Sequence, residues 1–142
     1  MTLDQRSMQQ VIGYRLRRAQ LIVFKGFYEA FSELELRPAE FAVLALIADN
    51  PGRKQAEIAA ALGIKRANFV AIINGLAERG LVERRQKAND RRSHALFLTD
   101  GGREFSVRMN EIQQELERDL VARLGGPEER DKLIALLDRI GV

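Results

Sequence analysis

The stretch QAEIAAALGIKRANFVAIINGLAERG, residues 55–80, carries the clearest structural signal in the chain. Apolar residues recur every three or four positions on both sides of Gly63, which predicts two short helices, Gln55–Leu62 and Arg66–Arg79. Gly63 can adopt the backbone angles of a tight corner, and the small side chain of Ala59 lets the two helices pack closely. This spacing is typical of a helix-turn-helix, whose second helix fits a major groove of DNA. A plain helical hairpin is the alternative that this stretch alone leaves open.

The next segment predicts a β-hairpin. Residues 81–85 and 95–98 have the composition of two strands, and a polar loop at residues 86–94 joins them. A helix-turn-helix followed by a two-stranded ribbon with a basic tip is a winged helix. Arg91 or Arg92 at the tip is expected to enter a narrow minor groove, where the negative potential is strongest. Asp90 is expected to hold a neighbouring arginine in an extended pose, and an exposed ion pair without a DNA role is the alternative.

The charge of the chain is unevenly distributed. The net charge is +3, but residues 53–92 hold ten Lys or Arg and four acidic residues, a local net charge of +6. A basic middle between acidic flanks is the electrostatic pattern expected of a protein that binds a polyanion. An ordinary solvated surface is the alternative from charge alone.

Four further helices are predicted outside this region by their apolar periodicity. They cover residues 8–35, 39–48, 103–124 and 128–140. Thr99 and Asp100 can cap the start of the third of these helices. Strands and helices do not alternate, so a parallel sheet is not expected. The predicted fold class is mainly α: a winged helix-turn-helix with N- and C-terminal dimerisation helices, in one domain that spans residues 1–142.

The terminal helices carry more apolar surface than one small winged domain can bury. We therefore expect a homodimer, with residues 8–35 and 103–142 as dimerisation helices and residues 39–99 as the DNA-binding lobe. Two recognition helices would then lie ~34–36 Å apart, about one turn of DNA. A helical monomer that buries these stripes internally is the alternative.

The composition argues against several other classes of protein. The 142 residues include no cysteine and one histidine, His94. Without cysteine there is no disulfide scaffold or thiolate zinc site, and a reducing cytoplasm is the expected location. No metal site and no nucleophile–base pair can be assembled around a lone histidine, so neither an enzyme nor a cofactor is expected. There is no signal-peptide pattern, and no apolar run approaches the ~20 residues that span a bilayer.

Two stretches, LGIKRANFVAIINGLAERGLVERR and DRRSHALFLTDGGRE, resemble the MarR family of bacterial transcriptional regulators. The Asp-x-Arg signature of the wing falls on Asp90 and Arg92, and a Leu-Thr pair opens the following helix. Helix order and length are similar over nearly the whole chain. The resemblance implies a homodimer on a palindromic operator, usually a repressor that a small ligand releases from DNA.

The second helix of the helix-turn-helix supplies most of the expected DNA contacts. Lys65 and Arg66 at its start are expected to contact phosphates, which position the protein without specifying a sequence. Asn68 or Asn74 can read an adenine edge, and Ala71 with its small neighbours can touch thymine methyl groups. Because this face is less polar than in many family members, DNA shape and the wing are expected to contribute more to specificity. The full expected set is Lys65, Arg66, Asn68, Ala71, Asn74, Arg84, Lys87, Asp90, Arg91 and Arg92.

The first helix holds the candidate effector site, in Tyr14, Arg15, Arg18, Phe24 and Tyr28. Aromatic side chains beside arginines suit an aromatic carboxylate or the phosphates of an acyl-CoA. The stretch GYRLRRAQ, residues 13–20, is also similar to regulators of phenolic-acid catabolism. The alternative is that the aromatic side chains are core and the arginines are solvated. A DNA-binding protein without a ligand and a helical protein-interaction module are the competing functions.

Overall fold

The computed structural model describes residues 2–87 and 90–142, and for residues 87 and 90–92 it describes the backbone alone. The fold is mainly helical with one two-stranded antiparallel sheet, which confirms the predicted fold class. Two short 3-10 turns at Met8–Gln10 and Ser32–Leu34 flank the first helix. The elements are α1 Ile12–Ala30, α2 Pro38–Asp49, α3 Gln55–Leu62, α4 Arg66–Glu78, β1 Val82–Lys87, β2 Asp90–Leu98, α5 Asp100–Leu124 and α6 Pro127–Ile140.

The expected helix over residues 8–35 was wrong at both ends. Helix α1 begins at Ile12 and ends at Ala30. After it, Phe31 is fully buried and its ring stacks on Phe27, with the ring centroids 4.1 Å apart. The chain then reaches Glu35 in the left-handed conformation, with φ 49°. Burial of Phe31 therefore turns the backbone at a point where the apolar periodicity of the sequence continues.

The wing strands are longer than expected, and residues 86, 87 and 90–94, which were expected in a loop, belong to the strands. Gln86 pairs with His94 and Lys87 pairs with Asp90, with a register shift between the two pairs. Strand pairing uses backbone groups, so polar side chains at the tip do not prevent it. Apolar side chains anchor the base of the wing, where Val82, Leu96 and Leu98 are buried.

A short segment before α3 extends the wing sheet. The amide of Gly52 donates to the Leu96 carbonyl at 2.9 Å, and the Leu96 amide donates to the Arg53 carbonyl at 3.0 Å. Lys54 and Ala95 form an isolated bridge next to these bonds. The wing is therefore fixed to the start of α3 as well as to the end of α4.

The core lies beneath α4 and joins every major element of the lobe. Its largest fully buried side chains come from α2, α4, β2 and α5, with Phe31 directly after α1. They are Phe31, Val43, Leu44, Ile47, Phe69, Ile73, Leu76, Leu96 and Met109. Helix α4 is thus held by its inner face, which leaves its outer face free for another partner.

Thr99 connects the base of the wing to the start of α5. Its Oγ1 accepts a hydrogen bond from the Gly102 amide at 2.9 Å, which confirms the expected helix cap, and donates to the Gly80 carbonyl. The Thr99 amide donates to the Leu81 carbonyl at 3.1 Å. Because of this cap, α5 begins at Asp100, three residues earlier than the sequence indicated.

The terminal helices leave large apolar side chains exposed on the protomer. On α1 these are Ile12, Leu16, Leu21, Ile22, Val23, Phe24 and Tyr28. On α5 and α6 they are Val107, Leu124, Leu133, Ile134, Leu136 and Ile140. Among the described residues, no helix is both long and apolar enough to cross a membrane.

Candidate nucleic-acid interface

Helix α4 has one buried face and one exposed face. Phe69, Ile73 and Leu76 point into the core. The opposite face exposes Arg66, Ala67, Asn68, Ala71 and Asn74. The expected DNA-contacting positions of the helix therefore lie together on the surface, on one side of the protein.

The corner before α4 has the predicted geometry. Gly63 adopts the left-handed conformation, with φ 64°, and its amide bonds to carbonyls at the end of α3. Lys65 is the N-cap of α4, and both Lys65 and Arg66 are exposed. Neither forms an ion pair with any described residue. Their charges sit at the helix N-terminus, where the backbone amides also favour an anion.

Arg84 has an internal contact that the sequence did not reveal. Its side chain is half-buried; Nη2 donates to Asn74 Oδ1, and Nε donates to Gln55 Oε1 at 3.3 Å. Arg84 thus links β1 to both helices of the helix-turn-helix. A bidentate contact to adenine needs both the oxygen and the nitrogen of an amide. Since the Asn74 oxygen is engaged, Asn68 is the better placed of the two for adenine.

A cavity of about 280 Å³ lies between α3, α4 and the base of the wing. Lys54, Arg66 and His94 are among the residues that line it. Lys54 was not among the expected DNA contacts. Lys54 caps α3 directly before its first residue, and that position, next to the basic Arg53, was the available signal.

Basic side chains nearby differ in how far they are neutralised. Arg85 donates to Glu83 at 2.6 Å and lies over the Phe97 ring, 4.0 Å from its centroid. Arg53 lies 3.8 Å from Glu57. These two arginines are therefore less available to a phosphate than Lys54, Lys65 and Arg66 are.

Four expected contacts fall at the wing tip. The side chains of Lys87, Asp90, Arg91 and Arg92 lie outside the described residues. The roles expected for them stay predictions. Their backbone positions, at the ends of β1 and β2, put them at the tip of the ribbon.

The five candidate effector residues do not form one cluster in the protomer. Tyr14 donates to Gln5 at 3.3 Å, Arg15 donates to the Gln9 carbonyl at 3.4 Å, and Arg18 is exposed. The three therefore lie near the N-terminal end of α1, apart from the two aromatic residues Phe24 and Tyr28.

Phe24 and Tyr28 line two different cavities. Phe24 faces an apolar groove of about 640 Å³ between α1, the start of α2 and α5. Tyr28 faces a cavity of about 540 Å³ beside the connection between α1 and α2. The α5 side of the groove, with Leu116, Leu120 and Arg123, was not predicted, because periodicity within one helix does not say which distant helix faces it.

The fold and the exposed face of α4 define a winged helix-turn-helix protein of the DNA-binding class. The chain belongs to the MarR family: residues 34–93 match the model of that family. It is 34% identical over 135 residues to a putative transcriptional regulatory protein for the hcr operon of Thauera aromatica. The matched region covers 94% of this chain and 81% of that protein. These matches confirm the family and the regulatory function indicated by the sequence.

Solved structures of the transcriptional repressor CouR are similar over the full length. CouR bound to a 23-mer DNA duplex is 42% identical, covers 100% of both chains and superposes with a TM-score of 0.93. CouR bound to p-coumaroyl-CoA is 40% identical, covers 98% of this chain and 97% of that chain, and has a TM-score of 0.89. The matched proteins are transcriptional regulators rather than enzymes.

Proposed function

We propose that two copies of this chain form a repressor that holds a two-fold-symmetric operator, and that an aromatic acyl-CoA ester releases it. The observation that carries the DNA-binding part is the outer face of α4. This face is exposed, bordered by Lys65 and Arg66, which pair with no acidic side chain among the described residues, and supported from behind by a continuous core. The DNA complex of CouR, at 42% identity, supports the same use of this face.

In this proposal, residues 39–99 form the DNA-binding lobe, and the residues at the start and on the outer face of α4 have distinct tasks. Lys65 and Arg66 contact phosphates at the groove edge, which supplies affinity that falls with salt. Asn68 reads a base edge, and Ala71 contacts a thymine methyl group. The wing tip, with Arg92, enters the adjoining minor groove. Binding to chromosomal DNA places the protein in the cytoplasm.

The apolar faces of the terminal helices are the proposed dimer interface. Ile12 on α1 is 72% exposed, and Leu136 and Ile140 on α6 are 56% and 59% exposed. Burial of apolar surface stabilises an interface by about 25 cal/mol per Å². Exposed apolar stripes on both chain ends therefore favour a second copy that covers them, which also sets the distance between the two α4 helices.

The groove between α1 and α5 is the proposed place for the aromatic part of the effector. Its volume, about 640 Å³, falls in the range of roughly 300–1,000 Å³ typical of small-molecule pockets. Phe24, Phe27 and Phe41 provide an aromatic lining. Exposed Arg15 and Arg18 are suited to phosphates, although they lie farther along α1. The complex of CouR with p-coumaroyl-CoA supports this class of ligand.

The ligand would act by population shift. A ligand that binds more tightly to dimers whose α4 helices are wrongly spaced weakens DNA binding by its differential affinity for the two arrangements.

Repression itself requires that the operator overlaps a promoter. Transcription in vitro from the bound fragment, with and without the protein, distinguishes a repressor from an activator.

The experiment that tests the proposal begins with selection of tightly bound duplexes from fragments of the source genome. We expect a site with two-fold symmetry whose half-sites are centred about 10 base pairs apart. Titration of the bound complex with p-coumaroyl-CoA should release the DNA, and free CoA and free p-coumarate serve as controls. Selection of no duplex would contradict the DNA-binding function. Selection followed by no release would leave a constitutive DNA-binding protein.

A further inference from the structure

Arg79 connects three parts of the fold with one side chain. It is the C-cap of α4. Its Nη2 donates to the Leu34 carbonyl at 2.6 Å and its Nη1 donates to the Glu35 carbonyl at 3.1 Å. The guanidinium carbon also lies 5.3 Å from the centroid of the Phe105 ring of α5. The end of the recognition helix is therefore attached both to the α1–α2 connection and to the long helix α5.

The connection that Arg79 grips has a fixed and unusual backbone shape. Glu35 has φ 49° and ψ 45° and is the one non-glycine residue with positive φ in the described part of the chain. Phe31 before it is fully buried, and Leu36 after it is also buried. Since both acceptors of Arg79 are backbone carbonyls, the contact follows the position of the main chain at the end of α1.

We propose that Arg79 is a positioning residue that transmits movement of α1 to the recognition helix, and so couples effector binding to DNA binding. The inference rests on the proposed function. A ligand that contacts Phe24 and Phe27 displaces the C-terminal end of α1 and with it the carbonyls of Leu34 and Glu35. The planar guanidinium holds both carbonyls at once, so α4 follows. Coupling of this kind is reciprocal, and bound DNA raises the free-energy cost of ligand binding through the same contact.

A second arginine reaches the same turn and provides a matched control. Arg108 of α5 lies 3.9 Å from Glu33. Both side chains of this pair are largely exposed, and the contact joins α5 to the turn without involving α4. Loss of Arg108 therefore removes a similar charge from the same region and leaves the connection to the recognition helix in place.

The test compares wild type with Arg79→Gln, Arg79→Lys and Arg108→Gln. For each dimer, operator affinity is measured with and without saturating p-coumaroyl-CoA, and the ratio of the two affinities is the coupling. We expect Arg79→Gln to reduce this ratio by about 2- to 30-fold, the size of effect that residues between coupled sites produce. Arg79→Lys keeps a donor and the charge and should restore part of the ratio. Arg108→Gln should match wild type.

A merely structural role for Arg79 predicts a different result. It would lower the unfolding midpoint, or weaken ligand-free operator binding, while the ratio stays as in wild type. An unchanged ratio in Arg79→Gln overturns the proposal, and so does an equal loss in Arg108→Gln.

Amide hydrogen exchange tests the same contact without any ligand. The amides of Leu34 and Glu35 are hydrogen-bonded within the 3-10 turn. Operator binding should slow their exchange in wild type at least about 3-fold more than in Arg79→Gln, while α4 is protected in both. Equal slowing in both proteins overturns the coupling alone. A wild type whose α4 shows no protection by DNA overturns the proposed function as well.

Discussion

Gly102 is the position where the structure makes the sharpest stability prediction. A Cβ at this residue would lie 2.0 Å from the Leu81 carbonyl oxygen and 3.0 Å from the carbonyl carbon. Both atoms belong to the backbone, so no side chain can move aside. An ordinary contact of 3.4 Å or more requires α5 and the α4–β1 turn to separate by at least about 1.4 Å, which weakens the Thr99–Leu81 hydrogen bond of 3.1 Å.

The expected cost of Gly102→Ala follows from these contacts. Overpacking of a close contact costs about 1–3 kcal/mol, and a weakened hydrogen bond adds about 0.5–1.5 kcal/mol. The better helix propensity of alanine returns about 0.5–1 kcal/mol. We therefore expect a net loss of about 2 kcal/mol in the free energy of unfolding, or about 4–8 °C in the unfolding midpoint of a chain of this size.

The neighbouring glycine is the control for this variant. A Cβ at Gly101 would lie 3.6 Å from the Gly80 carbonyl oxygen and 3.8 Å from Thr99 Oγ1, both ordinary contacts. Gly101→Ala should therefore be neutral or stabilise the protein by up to about 1 kcal/mol. Denaturant unfolding, followed by circular dichroism at one fixed protein concentration, measures both variants. If Gly102→Ala is as stable as Gly101→Ala, the close approach of α5 to Leu81 is wrong.

Three further predictions concern DNA binding and assembly. Arg66→Ala should weaken binding to all duplexes alike and reduce the slope of log affinity against log salt by about 1, as measured in titrations at several salt concentrations; an unchanged slope would remove Arg66 from the phosphate contacts. Arg92→Ala should cost about 1–3 kcal/mol of operator affinity in a gel-shift titration without loss of the fold or the dimer, and full affinity would mean that the wing does not reach DNA. The double change Leu136→Asp and Ile140→Asp should shift sedimentation from dimer to monomer, because it places charge on the proposed interface, whereas Arg139→Ala on the same helix should remain dimeric.

The helix-turn-helix was predictable because its limits are set locally. Gly63 and Gly80 end the two helices, and the predicted bounds agree with α3 fully and with α4 to one residue. The wing was predictable as an element, since its apolar base has to be buried. Its length was not, because ladder hydrogen bonds extend through residues whose side chains give no strand signal.

Contacts between distant residues were beyond the sequence. Arg79 bonds to carbonyls 44 and 45 residues away. Both acceptors are backbone atoms, so the side chains of the residues that carry them give no sign of the contact. The same holds for Arg84, which an exposed-charge pattern assigns to DNA but which the fold directs toward Asn74. For such residues a single sequence gives the charge and leaves the partner undetermined.

The effector candidates illustrate a related limit. Spacing of four residues places Phe24 and Tyr28 on one side of α1. They nevertheless line different cavities, because α5 covers one part of that side and the α1–α2 connection covers the other. Helical periodicity indicates which residues share a face, and only the fold indicates what lies opposite.

Operator affinity of the Asn68→Ala dimer, measured against the selected operator and against variants that alter one base pair symmetrically in both half-sites, tests the placement of α4 in the major groove most directly. We expect a loss of about 1–3 kcal/mol on the selected operator. On variants altered at one particular base pair of each half-site, wild type and Asn68→Ala should bind equally. Equal affinity of both proteins for the selected operator, or a loss of the same size on every variant, would contradict base recognition by this face of α4.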